Sequence, residues 1–215
     1  MRTTRIASLL CALTVALHAH EARAQSTVPQ HINLVALKGG VVDPVGEFTI
    51  VVRDLANNPV VGANVDIDFG QCTPDIRIGS SQPYPGLTTS CDGPVGHVRA
   101  ITDALGIARF RIVGAASNPT GHAPGASTAC ARVTADGILL GTMSVGAFDQ
   151  DGSSGVNPTD ASICFSDSLD FFMNGSYVGR SDYNNSGTIN PVDISILLGV
   201  SLRRESLASA AAYCN

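Results

Sequence analysis

Between residues 32 and 147 the chain alternates apolar and polar side chains in short runs. The clearest run covers residues 63–69, with Val65, Ile67 and Phe69 on one face and Asn64, Asp66 and Asp68 on the other. A period of two marks a strand with one face buried. Runs over 32–37, 48–54, 97–102, 107–113, 129–135 and 138–145 predict further strands. Turn residues separate them. Asp103-Ala104-Leu105-Gly106 predicts a hairpin between its flanking strands, and Asp136-Gly137 suits the primed turn of a second hairpin. Short strands at this spacing predict a β-sandwich. Two stretches rich in small and turn-forming residues break the pattern. Residues 71–94 read as an irregular excursion held by Cys72 or Cys91, and residues 117–125 as a loop carrying His122.

Past residue 147 alternation stops and a duplication begins. Residues 149–160 and 182–193 are twelve-residue stretches starting 33 positions apart, and the match runs on from Asn157-Pro158-Thr159-Asp160 and Asn190-Pro191-Val192-Asp193 into the residues that follow. Calcium takes six to eight hard oxygen ligands at about 2.3–2.6 Å, and a coiled loop supplies them from positions 1, 3, 5, 7, 9 and 12. In the first loop these are Asp149, Asp151, Ser153, the carbonyl of Gly155, Asn157 and Asp160. In the second they are Asp182, Asn184, Ser186, the carbonyl of Thr188, Asn190 and Asp193. Position 8 is apolar in both, Val156 and Ile189, and predicts a buried contact between the loops. The first loop holds three carboxylates and the second two, fewer than a tight cytosolic buffer uses, which suits abundant extracellular calcium.

Composition supports export. Arg2 and Arg5, an apolar stretch over 6–17 and Ala22-Arg23-Ala24 make a signal peptide of residues 1–24. Its removal leaves ten basic and seventeen acidic side chains, a formal charge of −7 that excludes a nucleic-acid partner. No second apolar stretch suits membrane insertion after cleavage. The division is then residues 25–147 for the β-sandwich and 148–215 for the calcium-binding part. Five cysteines remain after cleavage, with no Cys-x-x-Cys pair. A Cys164–Cys214 disulfide is expected to clasp a last helix, over 202–212, onto the helix after the first loop. Cys72, Cys91 and Cys130 are left to form one pair, with the choice open. His31, His97 and His122 are scattered, and no nucleophile elbow, phosphate loop or metalloprotease helix occurs, so the chain reads as non-enzymatic. The pair Phe171-Phe172 with Met173 reads as core between helices. With no Trp in the chain, the tyrosines make a poor sugar-stacking platform.

Two resemblances sharpen this. Residues 48–69 and the stretch Thr102-Asp103-Ala104-Leu105-Gly106-Ile107-Ala108-Arg109-Phe110 resemble bacterial Ig-like domains of the invasin/intimin type. The tandem loops, each with a terminal Asp, an Asn at position 9 and a helix on the C-terminal side only, resemble dockerin repeats. Serine at position 5 of both loops and Ser154 at position 6 of the first depart from that pattern, while Gly187 keeps it. The expected fold is mostly β with a small α domain: an Ig-like sandwich followed by dockerin-like repeats. The resemblance implies two bound calcium ions and docking to a cohesin-like domain or self-association. Recognition would fall on Pro158-Thr159 with Phe165-Ser166, and on Pro191-Val192 with Leu198-Gly199. Two other classes stay open: a structural subunit or adhesin of a surface filament, using sheet edges, and a carbohydrate-active or carbohydrate-binding protein.

Overall fold

The computed structural model describes residues 26–36, 46–73, 75–93, 95–117, 126–153, 155–202 and 213–214. The signal peptide, the loop at 118–125 with His122, and residues 203–212 of the expected last helix lie outside the described residues.

Among the described residues ten strands precede two helices: β1 His31–Leu34, β2 Glu47–Val51, β3 Asn64–Asp68, β4 Ile76–Ile78, β5 Thr88–Asp92, β6 Val95–Ile101, β7 Ile107–Arg111, β8 Gly114–Ala116, β9 Ala131–Ala135, β10 Ile138–Ala147, α1 Pro158–Asn174 and α2 Pro191–Leu202. Six form one sheet in the order β1-β10-β9-β3-β6-β5, while β2 pairs with β7 and β4 with β8. The alternation in β3 is realised, with Val65 and Ile67 fully buried. They share one core with Val98 of β6 and with Ile50 and Phe110 of β2 and β7, so the two-stranded pair covers this face of the sheet. The Asp136-Gly137 hairpin forms as its residues require, with φ of 48° and 82°.

The expected hairpin between β6 and β7 does not form, because β6 pairs with β3 and β5 and β7 pairs with β2. The chain crosses between layers at residues 102–106. There the Thr102 hydroxyl donates to the Val60 carbonyl at 2.7 Å and accepts from Ala63 N at 2.8 Å. Asp103 Oδ1 accepts from Leu105 N and Ile107 N at 2.8 and 3.1 Å. Gly106 (φ 71°) passes so close to Val52 that a Cβ would lie 2.6 Å from its carbonyl oxygen. The motif is a crossover between layers. The excursion at 71–94 in turn contains β4 and the edge strand β5, too short or too polar to register as alternation.

Two disulfides close the β part: Cys72–Cys130 and Cys91–Cys214. The expected Cys164–Cys214 clasp is absent, and Cys164 is a free, buried thiol. It faces a second apolar cluster, whereas Cys214 is anchored on β4 by its backbone N–H, which donates to Ile78 O at 2.9 Å. Burial, with the charges of Asp167 and Asp193, pushes the Cys164 thiol up to about 12 and leaves it unreactive. Linking residues 58 apart, as Cys72–Cys130 does, stabilises by about 4 kcal/mol on the chain-entropy estimate. Disulfides of this kind fit an oxidising compartment. No helix among the described residues is long and apolar enough to cross a membrane.

The helical part is seated on the β part. Val35, Ala36 and Val113 share the second cluster with Phe148, Val156, Cys164, Tyr183, Leu197 and Val200. Arg180 and Asp75 form an ion pair at 2.9 Å with both side chains fully buried. Removing one member of such a pair costs about 3–5 kcal/mol, because it strands the other charge. The helix α1 presents Asp160, Cys164 and Asp167 inward and large apolar residues outward. Phe165, Leu169, Phe172 and Met173 are exposed, Phe172 at 83%. Phe172 and Met173 are therefore surface and not core, since the inner face of α1 is committed to the loops.

Candidate metal centre

The strand β10 runs directly into the first loop, so Asp149 is fully buried where the sheet ends. Its carbonyl accepts from Ala116 N of β8 at 2.9 Å, which fixes the start of the loop on the β part. Carboxylate oxygens of Asp149, Asp151 and Asp160 converge to within 4.8 Å of one another, a cluster that can hold a metal ion.

The loop is coiled by its own carboxylates. Ser153 N donates to Asp149 Oδ1 at 3.0 Å and to Asp151 Oδ1 at 2.9 Å. Asp160 reaches back from the first turn of α1, and its Oδ1 accepts from Gln150 N and Asp151 N at 2.6 and 3.1 Å. Its Oδ2 accepts from Asn157 N at 2.7 Å. Asn157 caps α1 by accepting from Thr159 N at 2.8 Å, and its amide donates to Ser153 Oγ at 3.1 Å. Gly155, expected to offer its carbonyl, is half-buried in the loop.

The second loop repeats the backbone part of this scheme, while its Asn190 amide donates to Thr188 Oγ1 at 2.8 Å where Asn157 reaches Ser153. Ser186 N donates to Asp182 Oδ1 and Asn184 Oδ1 at 2.9 and 3.0 Å. Asp193 accepts from Tyr183 N, Asn184 N and Asn190 N at 2.9, 3.3 and 3.0 Å. Asn190 caps α2 through Val192 N at 2.8 Å. Even the strained position is shared, since position 4 has positive φ in both loops, 68° at Gly152 and 55° at Asn185. The second loop differs in charge. Asn184 replaces a carboxylate, and the Ser186 hydroxyl donates to the Thr188 carbonyl at 3.1 Å. Val156 and Ile189 are both buried.

The electrostatics follow from burial. Desolvation raises the Asp160 carboxyl to about 6, with the nearby Asp151 charge adding to it against the pull of the backbone N–H donors. Asp193 is raised for the same leading reason. Burial also opposes the charge of Asp151, yet hydrogen bonds from Ser153 outweigh it and hold that carboxyl below the usual range. A buried carboxylate without a counter-charge is costly, and a bound cation removes that cost.

Several supporting residues carry no sequence signal of their own. Gln150 and Tyr183 occupy position 2 of their loops and meet, with Gln150 Nε2 donating to Tyr183 Oη at 2.8 Å. Gln150 Nε2 also reaches the Ala147 carbonyl at 2.9 Å, and Tyr183 Oη donates to it at 3.1 Å. Asn33 of β1 donates to the Tyr183 carbonyl at 3.0 Å. Arg77 of β4 donates to the Gly152 carbonyl at 2.8 Å. The period of the repeat exposes none of these contacts, because the partners, Ala147 of Gln150 apart, are far away in sequence or lie on the other loop. Compared with family models, with characterised proteins and with solved structures, the chain matches none of them.

Proposed function

We propose that this is an exported, non-catalytic protein that binds two calcium ions through its tandem loops and uses the resulting helical platform to dock a protein partner. The observation that carries the reading is the duplicated hydrogen-bond scheme. The two loops, whose starts lie 33 residues apart, make the same backbone-to-carboxylate hydrogen bonds at equivalent positions, and the residues that follow them match in sequence. The donors are hard oxygens from carboxylate, amide, hydroxyl and carbonyl groups, which suit calcium and disfavour soft or imidazole-seeking metals. The chain resembles dockerin repeats here, and an Ig-like sandwich before them. The positions at which that resemblance places recognition support docking. Phe165 and Leu198, equivalent in the two repeats, are both exposed, as is Val192. Exposed apolar positions on the two helices favour a protein partner, either a cohesin-like domain or a second copy.

Calorimetric calcium titration of the full chain tests the reading, because the helical part shares a core with the β part. The expected result is two sites, one lost in Asp149→Ala and the other in Asp182→Ala. A lower melting temperature in chelator is expected with it, since an ion bound only to the folded state stabilises that state. A wild-type titration that shows no heat, with melting unchanged by chelator, would overturn it.

A further inference from the structure

The last described residues of the chain return to the first loop. Cys214 is bonded to Cys91 on β5, and its N–H donates to Ile78 O at 2.9 Å. Tyr213 bridges to Gly79 at the end of β4. From that anchorage the Tyr213 hydroxyl donates to Asp149 Oδ2 at 3.2 Å. The Arg77 guanidinium lies 4.2 Å from the centre of the Tyr213 ring and, through its bond to the Gly152 carbonyl, holds position 4 of the same loop. A Cβ on Gly152 would lie 2.0 Å from that guanidinium, so the approach requires glycine there.

The second loop has a counterpart. The Tyr177 hydroxyl donates to Asp182 Oδ2 at 2.7 Å. Each position-1 carboxylate thus has one oxygen engaged by a serine N–H and the other by a tyrosine hydroxyl, and Asp182 Oδ2 accepts from Gly187 N at 2.8 Å as well. The means of delivery differ. Tyr177 lies five residues before its aspartate, whereas Tyr213 comes 64 residues after Asp149 and is held beside a disulfide. That disulfide is open to reagents on one side, because Cys91 is exposed, while Cys72 and Cys130 are buried.

We infer that Tyr213 is a positioning residue for the cation site of the first loop and that the Cys91–Cys214 disulfide makes the affinity of this site redox-dependent. The inference rests on the calcium reading of both loops. A hydrogen bond to a liganding carboxylate fixes its rotamer before the ion arrives, and loss of such a partner costs about 10–100-fold in affinity. Reduction by a dithiol breaks the Sγ–Sγ bond. Two electrons and two protons pass to Cys91 and Cys214, giving two thiols, and the dithiol becomes a disulfide. Cys214 then loses its covalent tether to β5, and Tyr213 beside it loses dwell time on Asp149. The second loop keeps Tyr177 and is unaffected.

The test is calcium titration of the full chain in four states: oxidised, mildly reduced by dithiothreitol with Cys72–Cys130 verified intact by mass mapping, Tyr213→Phe, and Tyr177→Phe. The phenylalanine at 213 preserves the ring over Arg77 and removes only the hydroxyl. The expected result is an approximately 10–100-fold weaker first site in the reduced and Tyr213→Phe proteins with the second site unchanged, and the reverse in Tyr177→Phe. Equal weakening of both sites on reduction, or a first site untouched by Tyr213→Phe while both sites bind, overturns the inference and leaves the calcium reading standing. Absence of binding in the oxidised wild type overturns the calcium reading itself.

Discussion

Asp160 joins the loop to the helix that follows it. It closes three backbone N–H groups of the first loop and sits in the first turn of α1, where it also completes a capping box with Asn157. Its carboxyl is raised to about 6 by burial, so the metal-free folded state holds a proton there more tightly than the unfolded chain does. The stabilising contribution of that proton is fully present below the ordinary carboxylate value and is lost as pH rises through about 6. Calcium and the proton compete for the same oxygens. Calcium affinity at the first site should therefore fall between pH 7 and pH 5, and metal-stripped protein should gain stability from this group over the same interval. Titration and melting at both pH values, with Asp160→Asn as the comparison lacking this proton, check the two signs. Affinity unchanged between pH 7 and pH 5 would contradict the assignment of Asp160 as a ligand.

Elements differ in how much of themselves the sequence displays. The strand β3 is legible because each inward residue is large and each outward one polar, and the same holds in part for β9 and β10. β4 and β8 are three residues each, below the length at which a period can be recognised. The crossover after β6 looked like a hairpin because Asp and Gly stood at the turn, but those residues fix a turn and not the pairing of the strands on either side. The helix α1 misleads in another way. Its inward face must hold Asp160 and Asp167 against the loops, so its aromatic residues face solvent. Phe172→Ser should accordingly change folding stability by no more than about 0.5 kcal/mol, as expected for a surface position. Denaturant unfolding measures it, and a loss of several kcal/mol would return Phe172 to the core.

Across the whole molecule, the candidate site was legible in its ligands and not in its supports. The oxygen-bearing positions repeat at a fixed period, so a single sequence displays them. Arg77, Tyr213 and Asn33 reach the loops across the fold and leave no local pattern. The cysteines show the same limit: their number and the export signal pointed to disulfides, while the pairing depended on Cys214 being held at β4, away from Cys164. The β part therefore contributes to the loops directly, through the shared apolar cluster, the Arg180–Asp75 pair and the hydrogen bonds from Asn33 and Arg77. The most direct measurement is an anomalous difference map from crystals of the full chain grown with calcium. The account predicts two peaks, one ringed by Asp149, Asp151, Ser153, Gly155, Asn157 and Asp160 and one by their counterparts from Asp182 to Asp193, with ligand oxygens at about 2.3–2.6 Å. Calcium-grown crystals with no peak inside either loop would contradict it.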